Sequence, residues 1–210
     1  MPDIAAVILA AGRSLRFRAE GGREISKLVA SLDGKPLVRH AAEAALASRA
    51  RPVVAVTGHA REAVEAALAG LPVVFADNAG FAAGLASSLK VGVAALPSGV
   101  AGALILLGDM PGIEAAILDR LIGAFALQPD ALAAIPIRAG RRGNPVLLSQ
   151  ALFSAVARLD GDEGARRLLV EAAPGRVVEV DIESDGVTLD IDTPADLAAA
   201  QDAQGRQPPR

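Results

Sequence analysis

The chain has 210 residues, 52% of them hydrophobic and 21% charged, with a formal net charge of −3. That length suits one large domain able to hold a core without cross-links, and the absence of cysteine excludes a disulfide scaffold, a zinc finger, an iron–sulfur cluster and a thiol nucleophile. With no tryptophan or tyrosine and a slightly acidic balance, neither base stacking nor a diffuse basic surface is on offer, so no nucleic-acid partner is expected.

Residues 4–11 form a continuous apolar run that ends at Gly12. Such a run suits a strand buried on both faces. It is too short for a membrane span of roughly 18 or more residues. Asp3 precedes it where a signal peptide carries positive charge, so the sequence predicts a cytoplasmic protein without membrane contact. Similar runs follow at 52–58, 72–76 and 103–108. Alanine-rich stretches with helical spacing lie between them, at 37–47, 61–68 and 85–96, and another follows at 113–127. Strands alternating with helices of this length predict βαβ units and a mainly parallel sheet, an α/β fold.

After the run at 131–137 the rhythm changes. A polar turn over 138–144 leads at once into 145–148, which reads as a hairpin insertion. Helical stretches at 150–159 and 163–173 precede strand-like runs at 176–182 and 187–191. A last helix begins near Pro194. Residues 1–200 read as one domain and 201–210, with two prolines, as a disordered tail.

The first loop, residues 12–27, carries Arg13, Arg16, Arg18, Arg23 and Lys27 against Glu20 and Glu24, a net +3 in a chain of −3. It follows the first strand, and open α/β sheets bind ligands beyond the carboxyl ends of their strands. Gly12 allows close backbone approach, and exposed N–H groups in such a turn make an anion nest. G-x-G-x-x-G is missing, and Gly34-Lys35 runs into Pro36, so neither a Rossmann dinucleotide site nor a Walker A loop is present.

Asp109 is the first charge after the apolar strand at 103–108 and falls on the same sheet edge. One or two carboxylates, with phosphate and water, are what Mg²⁺ prefers. Asp190 and Asp192 flank Ile191 and would share one face of a strand. Asp192 or Thr193 before Pro194 is equally a helix cap, and both readings of Asp192 stand. His40 and His59 read as structural or surface residues.

The residues Leu9-Ala10-Ala11-Gly12-Arg13-Ser14-Leu15-Arg16-Phe17, followed by Lys27-Leu28 and Gly34-Lys35-Pro36-Leu37, resemble the opening of the MobA-like molybdenum-cofactor nucleotidyltransferases. Arg18 stands where that family has glycine, and the gap to Lys27 is longer. Gly108-Asp109-Met110-Pro111, the segment from Asn78 through Gly84 to Ser87 and Ser88, Arg142-Gly143-Asn144-Pro145, Gly161-Asp162-Glu163-Gly164-Ala165-Arg166 and Asp190-Ile191-Asp192-Thr193-Pro194 extend the likeness across residues 4–200. The resemblance implies a three-layer, Rossmann-like (GT-A-like) nucleotidyltransferase fold. It implies a catalytic set of Arg16, Lys27 and Asp109. Nucleotide contacts would come from Leu9, Ala10, Ala11, Gly12, Arg13, Ser14, Asn78, Gly84, Ser87, Ser88 and Asp109. Acceptor contacts would come from Arg142, Gly143, Asn144 and Arg166, and Mg²⁺ would sit on Asp109 and Asp192. The implied reaction transfers CMP from CTP to molybdopterin and releases pyrophosphate, with a recipient molybdenum hydroxylase as a further partner. In that family L-A-A-G accompanies CTP and L-A-G-G accompanies GTP, so Ala11 implies CTP. Transfer to another phosphorylated acceptor such as methylerythritol phosphate, by a cytidylyl- or guanylyltransferase, and non-catalytic delivery of the cofactor, are the alternatives.

Overall fold

The computed structural model describes residues 2–171 and 175–205. It opens with β1 (Ile4–Leu9), every residue of which is buried. A short helix α1 (Leu15–Ala19) and a small antiparallel ribbon of β2 (Ser31–Leu32) and β3 (Lys35–Pro36) come before α2 (Leu37–Ala47). Three further crossovers build the parallel part of the sheet: β4 (Val53–Thr57), α3 (Arg61–Ala67), β5 (Val74–Asp77), α4 (Leu85–Ala94), β6 (Gly102–Leu107) and α5 (Ala115–Ala126). Then come β7 (Ala133–Arg138), β8 (Arg141–Arg142), β9 (Val146–Ser149), α6 (Phe153–Val156), α7 (Ala165–Glu171), β10 (Val177–Asp181) and α8 (Pro194–Gly205).

The main sheet runs β10-β7-β9-β6-β1-β4-β5, with β8 paired to the end of β7. β1 lies parallel to both β4 and β6, and β5 to β4. β9 is antiparallel to both its neighbours, β6 and β7. The expected α/β class with a mainly parallel sheet is what the chain adopts. The alternation of side chains along β1 sorts two cores. Ile4, Ala6, Ile8 and Ala10 pack with α2 and α5, through Val38, Ala41, Leu118 and Leu121. Ala5, Val7, Leu9 and Ala11 face α4, α6 and α7, through Leu89, Val156 and Leu168. A strand with apolar side chains on both faces needs a helical layer on each side.

Apart from 187–191, the predicted strands are present, as are the four helices between residues 37 and 127, with ends shifted by up to two residues. The insertion is richer than the predicted hairpin. Ala139 and Gly140, at φ +48° and +75°, turn β7 into β8, as a two-residue hairpin turn requires. The chain then re-enters the sheet as β9 instead of leaving it. Residues 150–159 hold a 3₁₀ turn (Gln150–Leu152) and the one-turn α6, not one helix.

The strand expected at 187–191 is absent. Asp185–Val187 forms a 3₁₀ turn and no ladder follows it. Gly186 packs against Gly112, and a Cβ on it would fall 2.0 Å from the Gly112 carbonyl oxygen. A Cβ on Gly143 would fall 2.3 Å from Val187 O, which accepts the Asn144 N–H at 2.8 Å. The segment's hydrogen bonding goes into this knot instead of a sheet. The tail expectation also needs correction, because α8 continues to Gly205; residues 206–210 lie outside the described residues. No helix among the described residues is long and apolar enough to cross a membrane.

Candidate active site

Parallel strands place their carboxyl ends on one edge, and the loops after β1, β5 and β6 meet there. They enclose a cleft of about 590 Å³. Its wall includes Leu9, Ala11, Gly12, Arg13, Ser14, Arg16, Lys27, Gly84, Ser88, Asp109 and Asp192. The basic loop and the acidic strand tip therefore face the same space. A second cleft of about 500 Å³ adjoins it and shares Leu9, Leu85, Leu107 and Asp162. Arg142, Asn144 and Arg166 line this second cleft, together with Arg141, Thr188 and Asp190.

The long first loop is closed at its base. Ser14 has left-handed backbone angles (φ 51°, ψ 39°), an uncommon conformation for a residue with a side chain. That turn brings Ser14 Oγ within 3.1 Å of Ser26 Oγ and lets it accept the Lys27 N–H at 3.1 Å. Ser26 is buried, and so is Phe17, whose carbonyl accepts the Gly22 N–H at 2.9 Å. Residues 18–25 bulge outside this clasp. The extra length leaves Lys27 where the cleft needs it.

Lys27 Nζ lies 2.6 Å from Asp109 Oδ2 and 2.6 Å from Asp192 Oδ1. Arg16 reaches Asp192 Oδ2 at 2.7 Å from the exposed side. Burial alone would lower the Lys27 ammonium, but the charges and hydrogen bonds of Asp109 and Asp192 outweigh it and hold it above its ordinary value. Asp190 is pushed up, first by burial and then by the Asp192 and Asp109 charges. The two backbones that carry the carboxylates are tied, because the Ile191 N–H donates to Asp109 O at 3.0 Å.

Asp192 does not cap α8. Thr193 does, in a reciprocal box: its Oγ1 accepts the Asp196 N–H at 3.1 Å, and Asp196 Oδ2 accepts the Thr193 N–H at 2.8 Å. This frees the Asp192 side chain for the cleft. Asp109 Oδ1 is buried with no hydrogen-bond partner. An orphaned carboxylate oxygen beside a second carboxylate suits a divalent cation. Among the described residues no group of three or more His, Cys, Asp or Glu side chains is placed to hold a metal. Asp109 and Asp192 would thus be its protein ligands, with the remaining positions left to phosphate and water, the pattern Mg²⁺ favours.

Several expected contacts fall elsewhere. Ala10 is fully buried in the core below the cleft. Asn78 is 2% exposed and off the cleft wall. Its Nδ2 donates to Ser87 Oγ at 2.8 Å and Ser88 Oγ at 3.0 Å, which ties the loop after β5 to α4. Ser87 is also off the wall and donates to Gly84 O at 2.8 Å. Gly143 lies beneath the second cleft, in the knot with Val187. Arg142 spends two N–H groups on Glu179 Oε1, at 3.1 and 2.8 Å, yet remains half exposed. His40 Nε2 contacts Leu32 O at 3.1 Å, away from both clefts. The His59 ring lies against Phe81, with centroids 5.8 Å apart, and Phe81 forms part of the first cleft.

The sequence reading missed Asp162 as a cleft residue. The Gly161 carbonyl accepts the Ala86 N–H at 3.0 Å, so this loop covers the start of α4. Gly84 permits the contact: its φ is +98°, and a Cβ there would fall 2.3 Å from Gly161 O. The Gly-Asp pair at 161–162 was visible in the sequence, but nothing local indicated that it would bridge two clefts.

A model of the MobA-like NTP transferase domain matches residues 6–177. The chain is 37% identical over 125 residues to the bifunctional protein GlmU of Clavibacter sepedonicus, an alignment that covers 59% of this chain and 24% of that one. It spans about a quarter of the length of the curated relatives it matches first. The crystal structure of Rv0371c from Mycobacterium tuberculosis H37Rv superposes with a TM-score of 0.79 at 27% identity, covering 96% of this chain and 98% of that one. That protein has also been solved as a complex with manganese. The molybdopterin-guanine dinucleotide biosynthesis protein A of Archaeoglobus fulgidus shares the fold, with a TM-score of 0.70 at 17% identity over 97% of this chain and 100% of that one.

Proposed function

The chain belongs to the MobA-like NTP transferase family, and from that premise we propose that it transfers CMP from CTP to molybdopterin with release of pyrophosphate. The observation that carries this reading is the single cleft walled by both the 12–16 loop and Asp109. The adjoining cleft, lined by Arg141, Arg142 and Arg166, supports an acceptor site beside the nucleotide. Guanidinium groups pair well with phosphate and stack on planar rings.

In this reading an oxygen of the acceptor phosphate attacks the α-phosphorus of CTP. A new P–O bond forms, and the bond to the bridging oxygen of the β-phosphate breaks. The chain supplies position and charge, which is most of what phosphoryl chemistry asks of a protein. The N–H groups around Gly12 and Arg13 cradle phosphate oxygens. Arg16 and Lys27 neutralise charge that builds up on the departing pyrophosphate. Asp109 and Asp192 would hold the divalent cation, Mg²⁺, which would polarise phosphate oxygens. Ala11, at the bottom of the cleft, sets the space for the base and favours the pyrimidine. The solved manganese complex of Rv0371c supports the use of a divalent cation, and the matched family model supports nucleotidyl transfer.

The test is pyrophosphate release from CTP, GTP, ATP or UTP with Mg²⁺, in the presence of molybdopterin or methylerythritol phosphate. Release is expected only from CTP with molybdopterin. Release with methylerythritol phosphate instead would move the assignment to that acceptor. Tight molybdopterin binding without release from any triphosphate would favour a carrier over an enzyme.

A further inference from the structure

The Asp109–Asp192 pair is built independently of the cation that now neutralises it. The Ile191 N–H on Asp109 O fixes one backbone to the other at 3.0 Å. The Asp192 N–H is held by Asp196 Oδ2 at 3.1 Å. Between the two carboxylates stands the Lys27 ammonium, 2.6 Å from each. Asp109 Oδ1 keeps acceptor capacity that this ammonium does not use. Lys27 is anchored through its backbone, whose N–H donates to Ser14 Oγ at 3.1 Å. Its four-carbon stem leaves the charged end free to swing.

From this geometry we propose that Lys27 is a placeholder for the divalent cation: without nucleotide its ammonium fills the space between Asp109 and Asp192 and keeps free divalent cations out, and an arriving triphosphate draws it away so that cation and nucleotide enter together. The inference rests on reading Asp109 and Asp192 as the cation's ligands and adds the order of binding. Two carboxylates held side by side and partly buried repel unless a cation joins them. A lysine in place meets that need before any ligand arrives. A dication and an ammonium cannot share the same gap, because their own repulsion is large at such distances. Triphosphate oxygens offer the ammonium a new anionic partner within the cleft. Linkage then makes the effect reciprocal: whatever removes Lys27 from the gap raises cation affinity, and the cation raises affinity for that ligand by the same factor.

The experiment is a Mn²⁺ titration of the full chain without nucleotide, with free Mn²⁺ read by electron paramagnetic resonance. Lys27→Met should bind Mn²⁺ at least tenfold more tightly than the wild type. Adding Asp192→Asn to that variant should cancel the gain. Mg²⁺ should raise the melting temperature of Lys27→Met and leave that of the wild type unchanged. If Lys27→Met does not fold without metal, Lys27→Gln keeps a hydrogen-bond donor in the gap without its charge and is held to the same tenfold criterion. A variant that folds and binds Mn²⁺ no better than the wild type overturns the proposal. Pyrophosphate release reads the functional assignment separately. Tightened Mn²⁺ binding in a chain that transfers no nucleotide would sink that assignment and keep the placeholder, and unchanged Mn²⁺ binding in a chain that does transfer would do the reverse.

Discussion

Asp109 and Lys27 touch at 2.6 Å although they lie far apart in the sequence. The residue types were legible early: a lone acid after an apolar strand, and a cationic loop after another. What the sequence left open was Asp192, which read equally well as a cap. Thr193 settles this by taking the cap through its own hydroxyl. Asn78 was ambiguous for a related reason: a buried amide that satisfies two serines looks, in sequence, like one offered to a ligand. At this scale Asp109→Asn keeps the side chain's size and removes its charge. It should abolish pyrophosphate release while the far-UV circular dichroism spectrum stays that of the wild type. Normal turnover in that variant would remove Asp109 from the proposed metal site. Ala11→Gly opens space beside Gly58, whose own Cβ would fall 2.8 Å from that of Ala11. The ratio of CTP to GTP turnover should fall, and an unchanged ratio would free base choice from this position.

The helices and parallel strands were readable because their hydrophobic periods are long and unbroken. Residues 187–191 were not, since the alternation of Val187, Leu189 and Ile191 imitates a strand. The close approach of Gly112 and Gly186 decides the matter, and it joins segments remote in sequence. Gly186→Ala would place a methyl against backbone that cannot yield. It should cost about 1–3 kcal/mol in a denaturant melt, the range of overpacking, and weaken nucleotide binding by displacing the segment that leads to Asp192.

The Thr193–Asp196 box makes a second, pH-dependent claim. The Thr193 hydroxyl first, and then the backbone N–H groups of Thr193 and Asp192, hold the Asp196 carboxyl below its ordinary value. A depressed native value means stability present above the unfolded value and lost as pH falls through the native one. Asp196→Ala should therefore cost about 1 kcal/mol at neutral pH, as a lost cap does. The gap to the wild type should close once the medium is acidic enough to protonate the native carboxyl. A gap that persists unchanged in acid would show that the box contributes no charge-dependent stability.

Taken as a whole, the molecule uses its parallel sheet to bring chain-distant loops to one edge. β1 sits centrally between β4 and β6, so the loops after β1 and β6 are neighbours by construction. The sequence disclosed the alternation that makes such a sheet. It did not disclose that β9 would enter antiparallel between β6 and β7, which sets β7, β8 and the second cleft beside the first. A polar turn followed by an apolar run specifies a return of the chain, and only the gap between β6 and β7 specifies where it lands. Arg141 and Arg142 reach the second cleft through that insertion.

The proposed function requires one cleft to grip a magnesium-loaded nucleotide. A thermal melt with CTP, GTP, ATP and UTP, each with Mg²⁺, on the wild type and on Asp109→Asn tests it most directly, because a ligand bound only by the native state raises its stability. CTP should raise the wild-type melting temperature most, and the shift should vanish in Asp109→Asn. A wild-type chain that no nucleotide stabilises, or an equal shift in both proteins, would contradict it.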